Sequence, residues 1–218
     1  MSRGAELQPS VTTCEVHEFD RAEYRPSVRD SESRRILTAA WRVLERSRYR
    51  SLKVRQVLAA SSTSAGHFYR RFPSKAHLLF ALLEDEVRHV DRQLQDRVDP
   101  TAPVSEQLHT WLYYNIDTLY DQARAQRTRL FLDQDVLDVL PEQVTVLYDI
   151  FNSQLSAIIE RGVRNGELRP GASETDAQLV GYLVRGLLTS GVNERLPPDK
   201  DALLTDVHAF VLRALGHR

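Results

Sequence analysis

Ser61-Ser62-Thr63-Ser64-Ala65-Gly66-His67-Phe68-Tyr69-Arg70-Arg71-Phe72-Pro73-Ser74-Lys75-Ala76-His77-Leu78-Leu79 is the stretch on which the fold turns. It opens with three small polar residues, which suit a tight turn. A short helix follows, and the Ser64 hydroxyl is placed to cap its free amides. Phe68 and Phe72 lie four apart and share one face, the spacing of a helix that buries that side. Gly66 leaves the helix surface bare, so another molecule's backbone can come close. Pro73 ends the segment, because proline lacks a backbone donor and restricts the residue before it. Upstream, Val54 to Ala60 reads as another short apolar helix. Helix, polar turn, helix is the helix-turn-helix arrangement, in which the first helix braces the second.

The charge around this motif says what it faces. The whole chain of 218 residues has 29 basic and 30 acidic side chains, a net charge of −1 that favours no partner. Residues 31–77 alone hold eleven basic side chains against two acidic ones, Glu32 and Glu45, a net of +9. The remaining 171 residues carry a net of −10. A short helical segment so rich in bases is the electrostatic footprint of a polyanion binder. In a helix-turn-helix the second helix enters the major groove and presents its N-terminal residues to base edges.

The rest of the chain reads as helix. Residues 1–30 mix Ser, Thr and both charge signs, and are expected to be a mostly disordered arm. Ile36, Leu37, Ala40, Val43 and Leu44 form one face of a first helix, and Leu79, Leu82, Leu83, Val87, Val90 and Leu94 mark a long fourth one. Beyond Pro103 the pattern gives helices along Leu108–Tyr120, near 127–138, along Val144–Val163, along Leu179–Leu188 and along Leu203–Leu215. The expected fold is all-α, with about nine helices. Residues 31–77 are expected to form a DNA-binding domain, and 78–218 a helical ligand-binding and dimerisation domain.

The run Ser64 to Lys75, followed by Leu78-Leu79, resembles the TetR-family repressor signature, roughly Ser-x-Gly-Thr-Leu-Tyr-x-His-Phe-x-x-Lys and an apolar pair. Ile36-Leu37 and Ala39-Ala40 resemble that family's first helix. Arg161-Gly162-Val163-Arg164-Asn165-Gly166-Glu167-Leu168-Arg169 resembles a sequence common at the end of its seventh helix. The resemblance places Ala65, Gly66 and His67 at bases or nearby backbone, and Tyr69 and Lys75 at phosphates. With Lys53, Arg55, Ser64 and Arg70 they make up the expected DNA-contacting set. His67 stands where Thr is usual, and either donates to the DNA or packs. Three positions depart from the pattern. Leu58 replaces a small residue and is expected to widen or tilt the helix pair. Ser62 replaces a turn glycine, and in a left-handed conformation it costs about 1 kcal/mol or more. Ser47-Arg48-Tyr49 stands where a glycine usually follows the first helix.

The resemblance further implies a ligand-sensing and dimerising C-terminal half. Of its aromatics, Trp111, Tyr114, Phe131, Tyr148 and Phe151 fall on the helices the family uses for its pocket, and suggest an apolar or aromatic ligand. Leu183, Leu187, Gly191, Val207, Phe210 and Val211, on the last two helices, are expected at a two-fold interface; the alternative is that the glycines there ease packing within one chain. The implied function is a homodimeric repressor that leaves a palindromic DNA operator when a small molecule binds. The alternatives are an activator or ligand-independent DNA-binding protein of the same fold, or a helical carrier that binds no DNA.

Other chemistry finds little support. The lone Cys14 gives no disulfide, and the seven His have no ligand spacing on a helix face. No phosphate-cradling loop or nucleophile elbow is present. The expectation is a non-enzyme without metal or cofactor. The longest apolar run, Leu78 to Leu83, is too short to span a bilayer, and the N-terminus lacks an apolar signal core, so a cytoplasmic location is expected.

Overall fold

The computed structural model describes residues 30–46, 49–171, 174–192 and 196–217. The expected arm thus lies outside the described residues except for Asp30, as do Ser47 and Arg48. The described residues form ten α-helices and one 3-10 turn, with no strand among them. α1 (Ser31–Leu44) starts at Asp30, whose carboxylate accepts from the Glu32 and Ser33 amides at 3.0 and 2.8 Å. The turn Tyr49–Ser51 leads to α2 (Val54–Ser61), α3 (Ala65–Arg71) and the long α4 (Lys75–Arg97). α5 (Val104–Tyr120), α6 (Gln122–Leu132), α7 (Gln134–Val139), α8 (Pro141–Arg164), α9 (Glu174–Val192) and α10 (Lys200–Ala214) complete the chain.

The count exceeds nine because the stretch expected near 127–138 is two helices. α6 begins at Gln122, where the Asp121 carboxylate accepts from the Ala123 and Arg124 amides. It ends at Asp133, which turns to extended backbone and caps α7 through the Asp135 amide at 2.9 Å. An Asp that satisfies the free amides of a new helix competes with continuing the old one.

Two apolar clusters organise the fold, and α4 belongs to both. The first joins Ile36, Leu37 and Trp41 of α1 to Phe68, Phe72 and Leu78–Leu83, and continues through Val87 to Leu130, Val136, Leu140 and Leu147. The second gathers Leu94 with Trp111 and Leu112 of α5, Leu155 and Ile158 of α8, and Leu204, Val207 and Val211 of α10. At 1.5 Å per residue α4 is roughly 34 Å long, a strut between the helix-turn-helix and the body. The apolar packing crosses the expected boundary at 77/78 without interruption.

The run Arg161 to Arg169 closes α8 onto α5. Gly166, at φ 76°, takes the left-handed step that glycine accepts at a helix end. The chain then folds back so closely that a Cβ on Gly162 would lie 2.7 Å from the Leu168 side chain and 2.8 Å from Val104. Glu167 accepts from the Val104 amide at 2.8 Å and so caps α5.

Candidate functional site

The turn between α2 and α3 is built around Ser62. It is the only non-glycine residue at positive φ among those described, at φ 52° and ψ 39°. The Thr63 amide reaches back five residues to the Leu58 carbonyl at 3.2 Å, which satisfies a carbonyl at the end of α2. Leu58 is partly buried against the first cluster, at the edge of the core. Thr63 is buried and donates from Oγ1 to the Ser61 carbonyl. A serine thus does the work of the usual glycine, at a conformational cost of about 1 kcal/mol.

α3 is oriented by its two phenylalanines. Phe68 and Phe72 are at most 1% exposed, with rings 5.6 Å apart. Anchoring that face turns Ala65, Gly66, His67, Tyr69 and Arg70 to solvent. Ser64 caps the helix by accepting from the His67 amide at 3.3 Å. Tyr69 is 49% exposed while its ring sits edge-on to Phe68, which leaves the phenol outside a packed ring. A Cβ added to Gly66 would meet nothing within 4 Å, so packing within the chain does not demand a glycine there.

The imidazole of His67 stays out of the core. Its Nδ1 lies 3.2 Å from Glu32 Oε1 on α1, and Nε2 has no partner among the described residues. Arg71 pairs with the same carboxylate at 2.6 Å and with Asp30 at 3.6 Å. The acids at the start of α1 thus clamp the outer end of α3. Sequence reasoning did not single them out, because the Glu32–His67 contact spans 35 residues and leaves no local signal.

Lys53 and Arg55 are exposed around the start of α2. The Lys53 amide donates to Gln56 Oε1 at 2.9 Å, which fixes the entry to that helix. Lys75 behaves differently. Its ammonium donates to the Tyr49 carbonyl at 2.7 Å and more weakly to that of Arg50, and lies 4.1 Å from the centre of the Tyr49 ring. Burial lowers its pKa, partly offset by Asp135. Burial, with Asp133 and Asp135 acting in the same sense, pushes the Tyr49 phenol up to about 12. Lys75 therefore pins the start of α4 to the turn after α1, and delivers its charge from a fixed position.

In the body, α4, α5, α6, α8 and α9 enclose a cavity with about 720 Å³ of atom-free space, part of it open to solvent. Tyr114, Phe131, Tyr148 and Phe151 all line it, together with Val87, Val90, Leu147 and Leu188. Trp111 is placed differently from the expectation. It is fully buried in the second cluster and backs Phe151 at 5.6 Å, off the cavity wall. The polar lining was not expected: Glu86, Asn115, Thr118, Arg124, Thr128 and Arg185. Glu86 pairs with Arg127 at 3.1 Å, and the Arg127 guanidinium lies 5.3 Å from the Trp41 ring on α1. The cavity wall is thereby two contacts from α1, which packs on α2 of the helix-turn-helix.

The residues expected at a two-fold interface divide. Val207 and Val211 are a correction: they are buried in the second cluster, where α10 packs on α5, and do not face outward. Leu183 and Leu187 are partly buried against the same cluster. A Cβ on Gly191 would lie 2.8 Å from Leu119, so this glycine serves packing inside the chain. Of the six, Phe210 stands out from the surface, at 54% exposed, and beside it in character are Leu179 at 59% and Tyr182 at 62%. With Gly186, whose missing Cβ faces open space, Leu179 and Tyr182 follow helical spacing along α9.

A basic helix-turn-helix whose second helix is capped, anchored and bare on its outer side, carried on a helical body with an apolar cavity, defines a DNA-binding regulator class. The comparisons agree. Among curated proteins no sequence matches the chain. Residues 36–82 match the model of the bacterial regulatory proteins, tetR family. The matched segment is the helix-turn-helix end of the chain, so the DNA-binding domain is similar to that of the TetR family. The fold is similar to that of the fatty acid degradation regulator FadR from Bacillus halodurans (19% identity, TM-score 0.73, 87% of this chain and 98% of that one). It is also similar to GusR from Salmonella enterica (18%, 0.69, 84% and 95%). A third is the transcriptional regulator FadR from Bacillus subtilis in complex with stearoyl-CoA (19%, 0.67, 82% and 97%). At these identities the likeness is one of fold. No helix among the described residues is long and apolar enough to cross a membrane.

Proposed function

We propose that the chain is a homodimeric repressor that occupies a palindromic operator and leaves it when a small molecule fills the body's cavity. The observation that carries the reading is the shared strut. α4 holds Lys75 at its first residue and lines the cavity with Glu86, Val87 and Val90, about 16–22 Å along the same helix. A ligand that prefers one arrangement of α4 against α6 and α8 therefore acts on the seat of α3. The Glu86–Arg127–Trp41 contacts give a second route from the wall to α1. Coupling of this kind is typically worth about 1–3 kcal/mol, or roughly 5–150-fold in affinity, and needs unequal ligand affinity for the two states.

On DNA, Ala65, Gly66 and His67 face the bases or nearby backbone. Tyr69, Arg70, Lys53, Arg55 and Lys75 hold the phosphates, and Ser64 fixes the helix start. The dimer is assigned to the exposed apolar face of Leu179, Tyr182 and Phe210, which two-fold pairing would cover. Two heads so joined reach half-sites about 34–36 Å apart. The cavity's aromatic walls suit an apolar or aromatic effector, and the stearoyl-CoA bound to the Bacillus subtilis regulator of similar fold supports a long apolar one. A protein that reads the chromosome in this way works in the cytoplasm. A mobility shift with DNA from upstream of the gene, with and without a metabolite panel, tests the reading. One compound that both raises the melting temperature and releases the DNA supports it. Specific DNA binding that no stabilising compound reverses contradicts the effector half.

A further inference from the structure

We propose that the cavity takes an amphipathic anion, an apolar or aromatic body carrying one carboxylate or similar acidic head, and that Arg185 receives the head. The inference rests on the effector reading above and narrows it to a ligand class. It comes from accounting for each polar group on the wall. Glu86 is bound to Arg127. Arg124 donates to Asp117 at 2.9 Å, to the Tyr114 carbonyl at 2.9 Å and to Thr118 Oγ1. Thr118 and Thr128 each donate to a main-chain carbonyl of the preceding turn. Asn115 donates to the Trp111 carbonyl and Tyr148 to that of Phe131.

Among the described residues, Arg185 is the one charged group on the wall without an ion pair or hydrogen bond, and the Tyr114 phenol, beside Arg124, is the neutral group without a close one. The Arg185 guanidinium lies over the Tyr148 ring, 4.4 Å from the ring centre. The stacking fixes the plane of the group at the edge of an apolar space and leaves the five N–H donors for a ligand. A planar fork held in place suits a carboxylate, which it binds through two parallel hydrogen bonds. The wall around it, Val87, Val90, Phe131, Leu147, Phe151 and Leu188, suits an apolar remainder. A neutral apolar ligand would bury part of this cation against hydrocarbon with nothing to pair it, which is unfavourable.

The test uses two dyes of one shape. 8-Anilinonaphthalene-1-sulfonate carries an anion, and N-phenyl-1-naphthylamine is the same body without it. Both are titrated by fluorescence into the full-length protein and into Arg185→Gln and Arg185→Lys, with Leu188→Trp to fill the cavity. The expected result is a loss of about tenfold in sulfonate-dye affinity for Arg185→Gln, the scale of one charge-assisted hydrogen bond. The neutral dye binds Arg185→Gln at least as tightly as wild type, because the unpaired cation is gone; Arg185→Lys recovers part of the sulfonate-dye loss, and Leu188→Trp weakens both dyes. Decanoate displaces the neutral dye better than decanol does from wild type, and loses that advantage in Arg185→Gln. Neutral-dye binding with sulfonate binding indifferent to Arg185 overturns the anion assignment and leaves the effector reading standing. Failure of both dyes to bind a protein that still shifts its DNA overturns both.

Discussion

Gly66→Ala separates what the fold needs from what the DNA needs. The glycine is the second residue of α3, exposed, at ordinary helical φ, and an added Cβ meets no atom within 4 Å. Nothing in the chain therefore opposes the methyl group. Alanine is favoured over glycine by about 0.8–1 kcal/mol in a helix interior, and close to the helix start roughly half of that is expected. For a chain of this size 1 kcal/mol moves the melting temperature by roughly 2–4 °C, so the variant is expected to melt about 1–2 °C higher. The same methyl group points to where the DNA backbone would lie. Loss of one close backbone contact, about 1–2 kcal/mol, corresponds to roughly 5–30-fold weaker binding. Thermal melting and DNA anisotropy at fixed salt, measured on one preparation, give both numbers. A fall of several degrees would show that the Cβ meets something inside the chain. Unchanged affinity for the operator would refute the placement of Gly66 against DNA.

Ser62→Gly relieves the left-handed serine, and is expected to raise the melting temperature by roughly 2–4 °C, about 1 kcal/mol, as read by differential scanning calorimetry. Tyr69→Phe and Lys75→Ala are expected to weaken binding to every sequence by similar factors in a titration against a randomised site library, whereas substitutions at Ala65 or His67 shift the preferred bases. Lys75→Ala also lowers the melting temperature, because it unties α4 from the Tyr49 carbonyl. The hydrogen bond and charge of Lys200, helped by Arg124 and working against burial, hold the Asp117 carboxyl below its ordinary 3.8. A depressed carboxylate stabilises the fold above its unfolded pKa and loses that stabilisation as pH falls through the lower folded value. Asp117→Asn is therefore expected to melt lower than wild type at neutral pH, with the gap closing as pH drops below 3.8; a gap that persists in acid contradicts the ion-pair account. Tyr182→Glu puts a charge in the exposed α9 face, and light scattering is expected to show a folded monomer at concentrations where wild type is a dimer.

The helix-turn-helix was legible because its signals are local. Capping Ser64, inward Phe68 and Phe72, and the turn at Ser62 all act within a few residues, and the departure at Ser62 already implied the strained φ that the structure shows. Contacts distant in sequence left no such trace. Glu32 beside His67, and Arg185 over Tyr148, exist only once the helices are packed. Periodicity on α10 identified an apolar stripe, but not what covers it. Val207 and Val211 lie on the side taken by α5, and Phe210, next to Val211 in sequence, stands out in solvent. Trp111 shows the same limit from within, since an aromatic on a cavity helix can sit behind the wall it supports. The break at Asp133 had a legible signal in its capping aspartate, but apolar periodicity alone passes over it.

The central claim is that α3 reads DNA and the cavity controls it. The most direct measurement is anisotropy of a labelled duplex, taken from genomic fragments the protein itself selects, titrated at physiological salt and then challenged with a compound shown to occupy the cavity. The account predicts tight binding to a palindromic fragment, at least a thousandfold weaker binding to scrambled sequence, and release by the compound from wild type but not from Leu188→Trp. Equal affinity for selected and scrambled DNA, or release that persists when the cavity is filled, would contradict it.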